Sequence, residues 1–381
     1  MRTADDLALH SGPFRLEHID AFRVSIPMRE PFRISSGEVS EKDAILVRVA
    51  EGDTFGWGES SAMAGGFYSI ETPEFCEREL IDRVLPAVAG REFANMAQLE
   101  TVLVRTTGSR FVRVAIETAA WELLARRNNM SLRQLFGIPD RPIPSGLAIG
   151  LYDTLEELRD AIERHRPHDY HRLKIKIKRG QDIELVAKVR EWLGDFPLFT
   201  DANADYGSDS IPLFQELDRY RLMMYEQPMA RDDLEGAADL QRSVSTPVCL
   251  DEGVESVEHA RRALQLGSCR IVNIKLQRVG GYLEAIRIIE ECARHRVPVW
   301  MGTMPELGIG SAQALALAAH PAFAFPTDVE PSDRWYKDDI LEPTLELADR
   351  HLTLPDGAGV GFAIDMAKVE QYCSARWSFG R

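Results

Sequence analysis

Apolar and polar positions follow a different period in each region of this chain. Residues 1–13 are mostly polar and read as a loose leader. Over 14–60, Phe22-Arg-Val-Ser-Ile-Pro alternates and Ala44-Ile-Leu-Val-Arg-Val-Ala is a continuous apolar run, so strands are predicted. From Pro73 to Met130 the pattern turns helical: Ile116, Ala119, Ala120, Leu123 and Leu124 fall on one helix face. From Ile143 onward the pattern repeats. Short apolar runs centre near residues 147, 174, 200, 225, 249, 274, 299 and 325, with helical segments between them. One such helix is predicted from an N-cap at Ser256 to a stop at Gly267. Another carries the stripe Ala285, Ile288, Ile289 and Cys292, and Gly280-Gly281 reads as the turn into it. A period near 25 fits one strand plus one helix, and eight such units predict a closed parallel (β/α)8 α/β barrel over 141–346. A small α+β domain over 14–140 precedes it, and the tail 347–381 is expected to pack back on that domain.

Composition narrows the setting. With 60 acidic against 45 basic residues in 381, the net charge is -15, which argues against a nucleic-acid partner. Five scattered cysteines without a CxxC pair indicate neither a disulfide framework nor a zinc site. The start Met-Arg-Thr-Ala-Asp-Asp-Leu lacks a signal-like apolar region, and no run is long enough to span a membrane. The expected setting is cytoplasmic, and the expected assembly is a homo-oligomer.

The repeat also carries charge at fixed places. Lys176, Asp201, Glu226 and Asp251 stand 25 apart, and Lys275 follows 24 later, each closing an apolar run. Singly, such an Asp is more often a helix N-cap and such a Lys an exposed strand residue. Jointly, five charged residues closing five consecutive runs point to the mouth of a barrel, where catalytic groups gather. Three carboxylates without sulfur or imidazole favour Mg²⁺ or Mn²⁺ over zinc. Removing a proton α to a carboxylate builds a doubly charged enediolate, which a divalent cation offsets as it develops. Lys174 and Lys176 share one strand face, and Lys275 approaches from the other side. Neighbouring positive charge is expected to push a lysine towards the neutral form that a base requires. The three carboxylates should repel one another, so replacing Asp251 with Asn is expected to spare or raise stability. Tyr68, Arg33 and Trp300 are weaker candidates.

Lys174-Ile-Lys176, Asp201-Ala-Asn203, Glu226-Gln-Pro228, Leu250-Asp251-Glu252 and Asn273-Ile-Lys275 resemble the muconate-lactonizing subgroup of the enolase superfamily. Pro31-Phe-Arg-Ile-Ser, Gly56-Trp-Gly-Glu-Ser, Arg278-Val-Gly-Gly-Tyr-Leu-Glu-Ala, Met304-Pro-Glu-Leu-Gly-Ile-Gly and Ser332-Asp-Arg-Trp-Tyr-Lys-Asp-Asp-Ile are most similar to o-succinylbenzoate synthases and N-succinylamino acid racemases. The resemblance implies a modified TIM barrel with an N-terminal α+β capping domain. It implies Mg²⁺ on Asp201, Glu226 and Asp251, supported by Asn203. Lys176 and Lys275 would be the acid/base pair, with Lys174 tuning Lys176. Tyr68, Arg278, Thr303 and Met304 are implied substrate contacts, and residues about 28–36 and 62–70 would cap the site for a small-molecule carboxylate.

The chain departs from the family pattern at Leu276-Gln277, Ala148, Gly302-Thr303 and Asp328-Val-Glu330. Asp328-x-Glu330 resembles the Asp-x-Asp with which dipeptide epimerases hold a substrate ammonium. A dipeptide epimerase or a muconate cycloisomerase-like enzyme is therefore the alternative. A sugar-acid dehydratase would carry a His after the seventh strand, and Val299-Trp-Met-Gly-Thr-Met has none. A non-catalytic ligand-binding barrel would have no use for two lysines beside a carboxylate triad.

Overall fold

The computed structural model describes residues 2–34 and 37–380. Ser35 and part of the stretch 28–36 expected over the site therefore lie outside the described residues. The first domain is built on an antiparallel sheet of β1 (His18–Ile34), β2 (Gly37–Glu51) and β3 (Thr54–Ser60). Helix α2 (Met96–Thr106) leads into α3 (Arg110–Arg127), which is capped by the Ser109 hydroxyl accepting from Val112 N and is buried on nearly every side. It presses on β3 where Gly56 and Gly58 stand. A Cβ at either glycine would collide with the α3 backbone at Ala119 and Leu123 or at Ala115, so only glycine admits so close an approach.

The leader is not loose. Ala4–Leu9 forms a helix, α1, with Thr3 Oγ1 accepting from Asp6 N at 3.1 Å and Ala4, Leu7 and Ala8 buried. Its acidic first turn suits a helix N-terminus, and the apolar residues recur at helical spacing beneath that polar surface.

The barrel strands are β4 (Leu147–Ile149), β5 (Leu173–Lys176), β6 (Leu198–Asp201), β7 (Tyr225–Glu226), β8 (Val248–Leu250), β9 (Ile271–Ile274) and β10 (Val299–Met301). They form one parallel sheet in sequence order. Seven of the eight expected runs are thus strands. The eighth is not: near residue 325 only isolated bridges form, Val299 with Phe323 and Ser145 with Thr327. They still close the ring, with Gly146 N donating to Thr327 O at 2.9 Å and Asp328 N to Met301 O at 3.0 Å. Pro326 interrupts the run, and a residue without an N–H cannot serve a continuous ladder.

Helix α4 (Val257–Leu266) runs from its Ser256 cap to Gly267, as the spacing predicts. Helix α5 (Tyr282–Arg294) buries Ala285, Ile288, Ile289 and Cys292. Gly280 and Gly281 enter it with φ of +91° and +135°. After the barrel, strand β11 (Cys373–Gly380) pairs antiparallel with β1 of the first domain. No helix among the described residues is long and apolar enough to cross a membrane.

Candidate active site

Parallel pairing puts the charged residues in register. Lys176 stands beside Asp201, and Asp201 beside Glu226. Asp251 and Lys275 follow directly on β8 and β9. The carboxylates of β6, β7 and β8 thus form an arc, with Lys176 on one flank and Lys275 on the other. All five side chains are buried.

Each carboxylate meets a cation. Lys176 Nζ lies 2.5 Å from Asp201 Oδ2, and Lys275 Nζ lies 2.7 Å from Asp251 Oδ2. Lys174 Nζ is 3.5 Å from Asp201 Oδ2 and 3.4 Å from Glu226 Oε2, and it is bound more closely by Asp328. Glu226 Oε1 accepts from Asn273 Nδ2 at 2.8 Å, while its Oε2 has no hydrogen-bond donor. Asn203 supports the arc, its N–H reaching Asp201 Oδ1 at 3.0 Å and its Nδ2 reaching Glu252 Oε1 at 3.3 Å.

These contacts set the charges. For Lys174, burial is the largest influence and works downward, but Asp328, Glu226 and Asp201 together carry its pKa above the ordinary value. Lys275 is likewise raised: burial opposes the charge and Asp251 outweighs it. For these two lysines the surrounding carboxylates outweigh the neighbouring cationic groups. Burial works to raise Asp251, yet Arg278 and Lys275 hold it down at about 2. Burial and Asp201 drive Glu226 up to about 8.

Among the described residues, no three His, Cys, Asp or Glu side chains are gathered into a ready-made metal cluster. The donor set still fits a hard cation. It offers carboxylate oxygens from three adjacent strands, one of them buried without a hydrogen-bond donor.

The arc opens on a cavity of ≈ 40 Å³. Lys174, Lys176, Asn203, Lys275 and Asp328 line it from the barrel, together with Ala148, Thr303, Met304 and Pro305. Phe32, Ile34, Met63 and Tyr68 close it from the first domain. Lys176 Nζ lies 5.9 Å from the centre of the Phe32 ring and Lys275 Nζ 5.6 Å from that of Tyr68.

Arg278 is placed differently from its expected role. It does not line the cavity: its guanidinium binds Asp251 and the carbonyls of Val254 and Asn273, the latter two at 3.1 and 2.6 Å. Glu330 is also turned away, accepting from Ala148 N at 2.7 Å and lying 3.2 Å from Arg334 Nε. Asp328 is engaged by Lys174 and by Arg172 at 2.5 Å. Gln277 accepts from Ser61 N and donates to Glu59 O, both at 2.9 Å, tying barrel to first domain. Trp300 is buried inside the barrel, and Arg33 makes a surface pair with Asp153 at 2.8 Å. The sequence reading missed Arg172 and Trp335. Arg172 stands two residues before Lys174, which alternation places on the same strand face; Trp335 packs edge-on to Phe32 at 5.1 Å.

The profile described as "Enolase C-terminal domain-like" matches residues 153–368. The profile of the mandelate racemase / muconate lactonizing enzyme N-terminal domain matches residues 18–137. The chain belongs to this family. It is 36% identical over 358 residues to an o-succinylbenzoate synthase of Bacillus subtilis, covering 94% of this chain and 96% of that protein. It is 39% identical over 350 residues to an N-succinylamino acid racemase of an Amycolatopsis species, covering 92% and 95%. Among solved structures, an enolase superfamily member from Listeria innocua superposes with a TM-score of 0.90 at 32% identity, covering 96% of this chain and 99% of that one. The protein is an enzyme of the enolase superfamily with the modified TIM-barrel fold. Superfamily members generally use Mg²⁺.

Proposed function

We propose that this enzyme abstracts the proton α to a substrate carboxylate, acting as an o-succinylbenzoate synthase, an N-succinylamino acid racemase, or both. The observation that carries this reading is the flanking of one carboxylate arc by Lys176 and Lys275 across one cavity. Asp201, Glu226 and Asp251 would hold Mg²⁺, with Mn²⁺ as a substitute. The bound cation supplies positive charge that steadies the substrate carboxylate as it gains electron density.

The chain's own groups do the proton work. Lys176 on β5 and Lys275 after β9 address opposite faces of a substrate seated between them. For racemisation, one lysine in its neutral form takes the α-proton and the other, as an ammonium, delivers a proton to the opposite face. For a syn dehydration, a single lysine takes the α-proton and returns it to the departing hydroxyl on the same side. Lys174, held positive by Asp328, Glu226 and Asp201, keeps a fixed charge beside this pair. Phe32, Ile34, Met63 and Tyr68 cover it from the first domain.

The epimerase alternative needs free carboxylates at Asp328 and Glu330 to receive a substrate ammonium. Both already have internal cations, Lys174 and Arg172 for the first and Arg334 for the second. That supports an N-acyl rather than a free-amine substrate. The test is α-deuterium incorporation in D2O, comparing N-succinylamino acids with dipeptides of the same side chain, alongside a direct assay for o-succinylbenzoate formation. Higher kcat/KM for the dipeptides, reversed by Glu330→Ser, would replace this reading with the epimerase.

A further inference from the structure

A second cavity, of ≈ 330 Å³, lies in the first domain and shares no lining residue with the active site. Its floor is a row of paired residues across four strands. Ser378 of β11 faces Asp20 of β1, Asp20 faces Arg48 of β2, and Arg48 faces Trp57 of β3. In a neighbouring row Arg376 faces Phe22. The period of two puts Asp20, Phe22, Arg48 and Trp57 on one side of the sheet. Arg126 of α3 and Phe362 complete the walls.

Phe55, Ile364 and Met366 give the cavity its apolar surface, with Phe22 and Trp57 buried beneath. Phe22 and Trp57 have ring centres 5.9 Å apart. Arg48 lies 4.6 Å and Arg126 5.1 Å from the centre of the Phe55 ring, and Arg376 lies 4.9 Å from that of Phe22. Three guanidiniums therefore line the cavity, each close to an aromatic ring.

Their partners are unequal. Arg126 is engaged by Glu122 at 3.1 and 2.8 Å and by Phe362 O at 3.2 Å. Arg48 and Arg376 are only near Asp20, at 3.5 and 3.7 Å, beyond the ordinary hydrogen-bond range of about 2.7–3.2 Å. Asp20 in turn is bound by Ser378 at 2.5 Å and His18 at 3.1 Å. Three guanidiniums against the carboxylates of Asp20 and Glu122 leave a surplus of positive charge.

We propose that this cavity binds a small aromatic carboxylate, its ring against the half-buried Phe55 and its carboxylate on Arg48 and Arg376. The volume falls in the range of small-ligand sites, about 300–1,000 Å³, and an apolar lining with a few convergent polar groups is the usual construction. A planar carboxylate matches a guanidinium fork, and a flat ring matches Phe55.

The test is calorimetric titration of the full chain with benzoate, with cyclohexanecarboxylate and benzyl alcohol as controls for the ring and the charge. Benzoate should bind wild type and Lys275→Ala alike. It should bind at least about tenfold more weakly to Arg48→Met and Arg376→Met, the scale of a lost charge-assisted hydrogen bond, while α-proton exchange stays unchanged in both. The controls should bind more weakly than benzoate. No benzoate binding at millimolar concentration would overturn the proposal. So would binding that survives in both arginine variants but is lost in Lys275→Ala, which would place benzoate in the active site. If benzoate fails to bind and Arg376→Met instead lowers the oligomeric mass, the face belongs to a second copy and the proposal falls.

Discussion

Asp251→Asn gives the sharpest test of the site's electrostatics, because the geometry reverses the sign expected from sequence. Three carboxylates on adjacent strands suggest repulsion that an Asn would relieve. In the structure, however, Asp251 lies between Lys275 at 2.7 Å and the Arg278 guanidinium, whose side chains are only 7% and 4% exposed. The substitution is close to isosteric, so packing is preserved while two buried cations lose their common anion. Breaking a buried pair costs about 3–5 kcal/mol. The carboxyl group itself gives a second measure. Its pKa falls from 3.8 to about 2 on folding, on the order of 2 kcal/mol. Because the folded value is the lower one, this contribution is complete above about pH 3.8 and is lost as the pH falls through about 2. The expected loss near neutral pH is therefore about 2–5 kcal/mol. It would be read as a lower urea midpoint in EDTA, so that no cation contributes to folding stability. Adding Arg278→Met to Asp251→Asn should recover part of the loss, since one stranded charge is then gone. Added Mg²⁺ should stabilise the wild type and not the variant, and the variant should be inactive. An Asn variant as stable as wild type in EDTA would refute the reasoning and restore repulsion as the dominant effect.

Lys176→Ala should abolish α-deuterium exchange from one enantiomer of a racemisable substrate and Lys275→Ala from the other, each with a rate loss of about 10²–10⁴; exchange from both enantiomers in either variant would remove the two-base assignment. Gln277→Ala strands the buried Ser61 N–H and Glu59 carbonyl and should cost about 1–3 kcal/mol with a rise in KM, read from urea melts and initial rates. Gly281→Ala places a methyl group on the Glu117 carboxylate at a φ of +135° and should lower the thermal midpoint sharply, whereas an unchanged midpoint would contradict the observed turn.

The barrel was legible because strand alternation and the strand–helix period are local properties. Once Leu173 and Ile175 take one face of β5, Lys174 and Lys176 must take the other, and the repeat delivers Asp201, Glu226, Asp251 and Lys275 to the same rim. The cap at Ser256, the stop at Gly267 and the apolar stripe of α5 were legible for the same reason. The charges of the leader mask three apolar residues at helical spacing, and Pro326 breaks the ladder of the eighth run, so neither outcome shows in the local pattern.

The sequence by itself determined which charged groups reach the rim and in what order. Only the tertiary structure decided what each of them touches. Arg278 could have faced a substrate carboxylate, but the fold turns it onto Asp251. Asp328 and Glu330 could have awaited an ammonium, but Arg172 and Lys174, about 155 residues earlier, meet the first and Arg334 meets the second. A buried charge takes the nearest opposite charge rather than remain unpaired in a medium of low polarity. Which charge is nearest is set by how strands and loops remote in sequence close around the barrel mouth, and no local pattern records it.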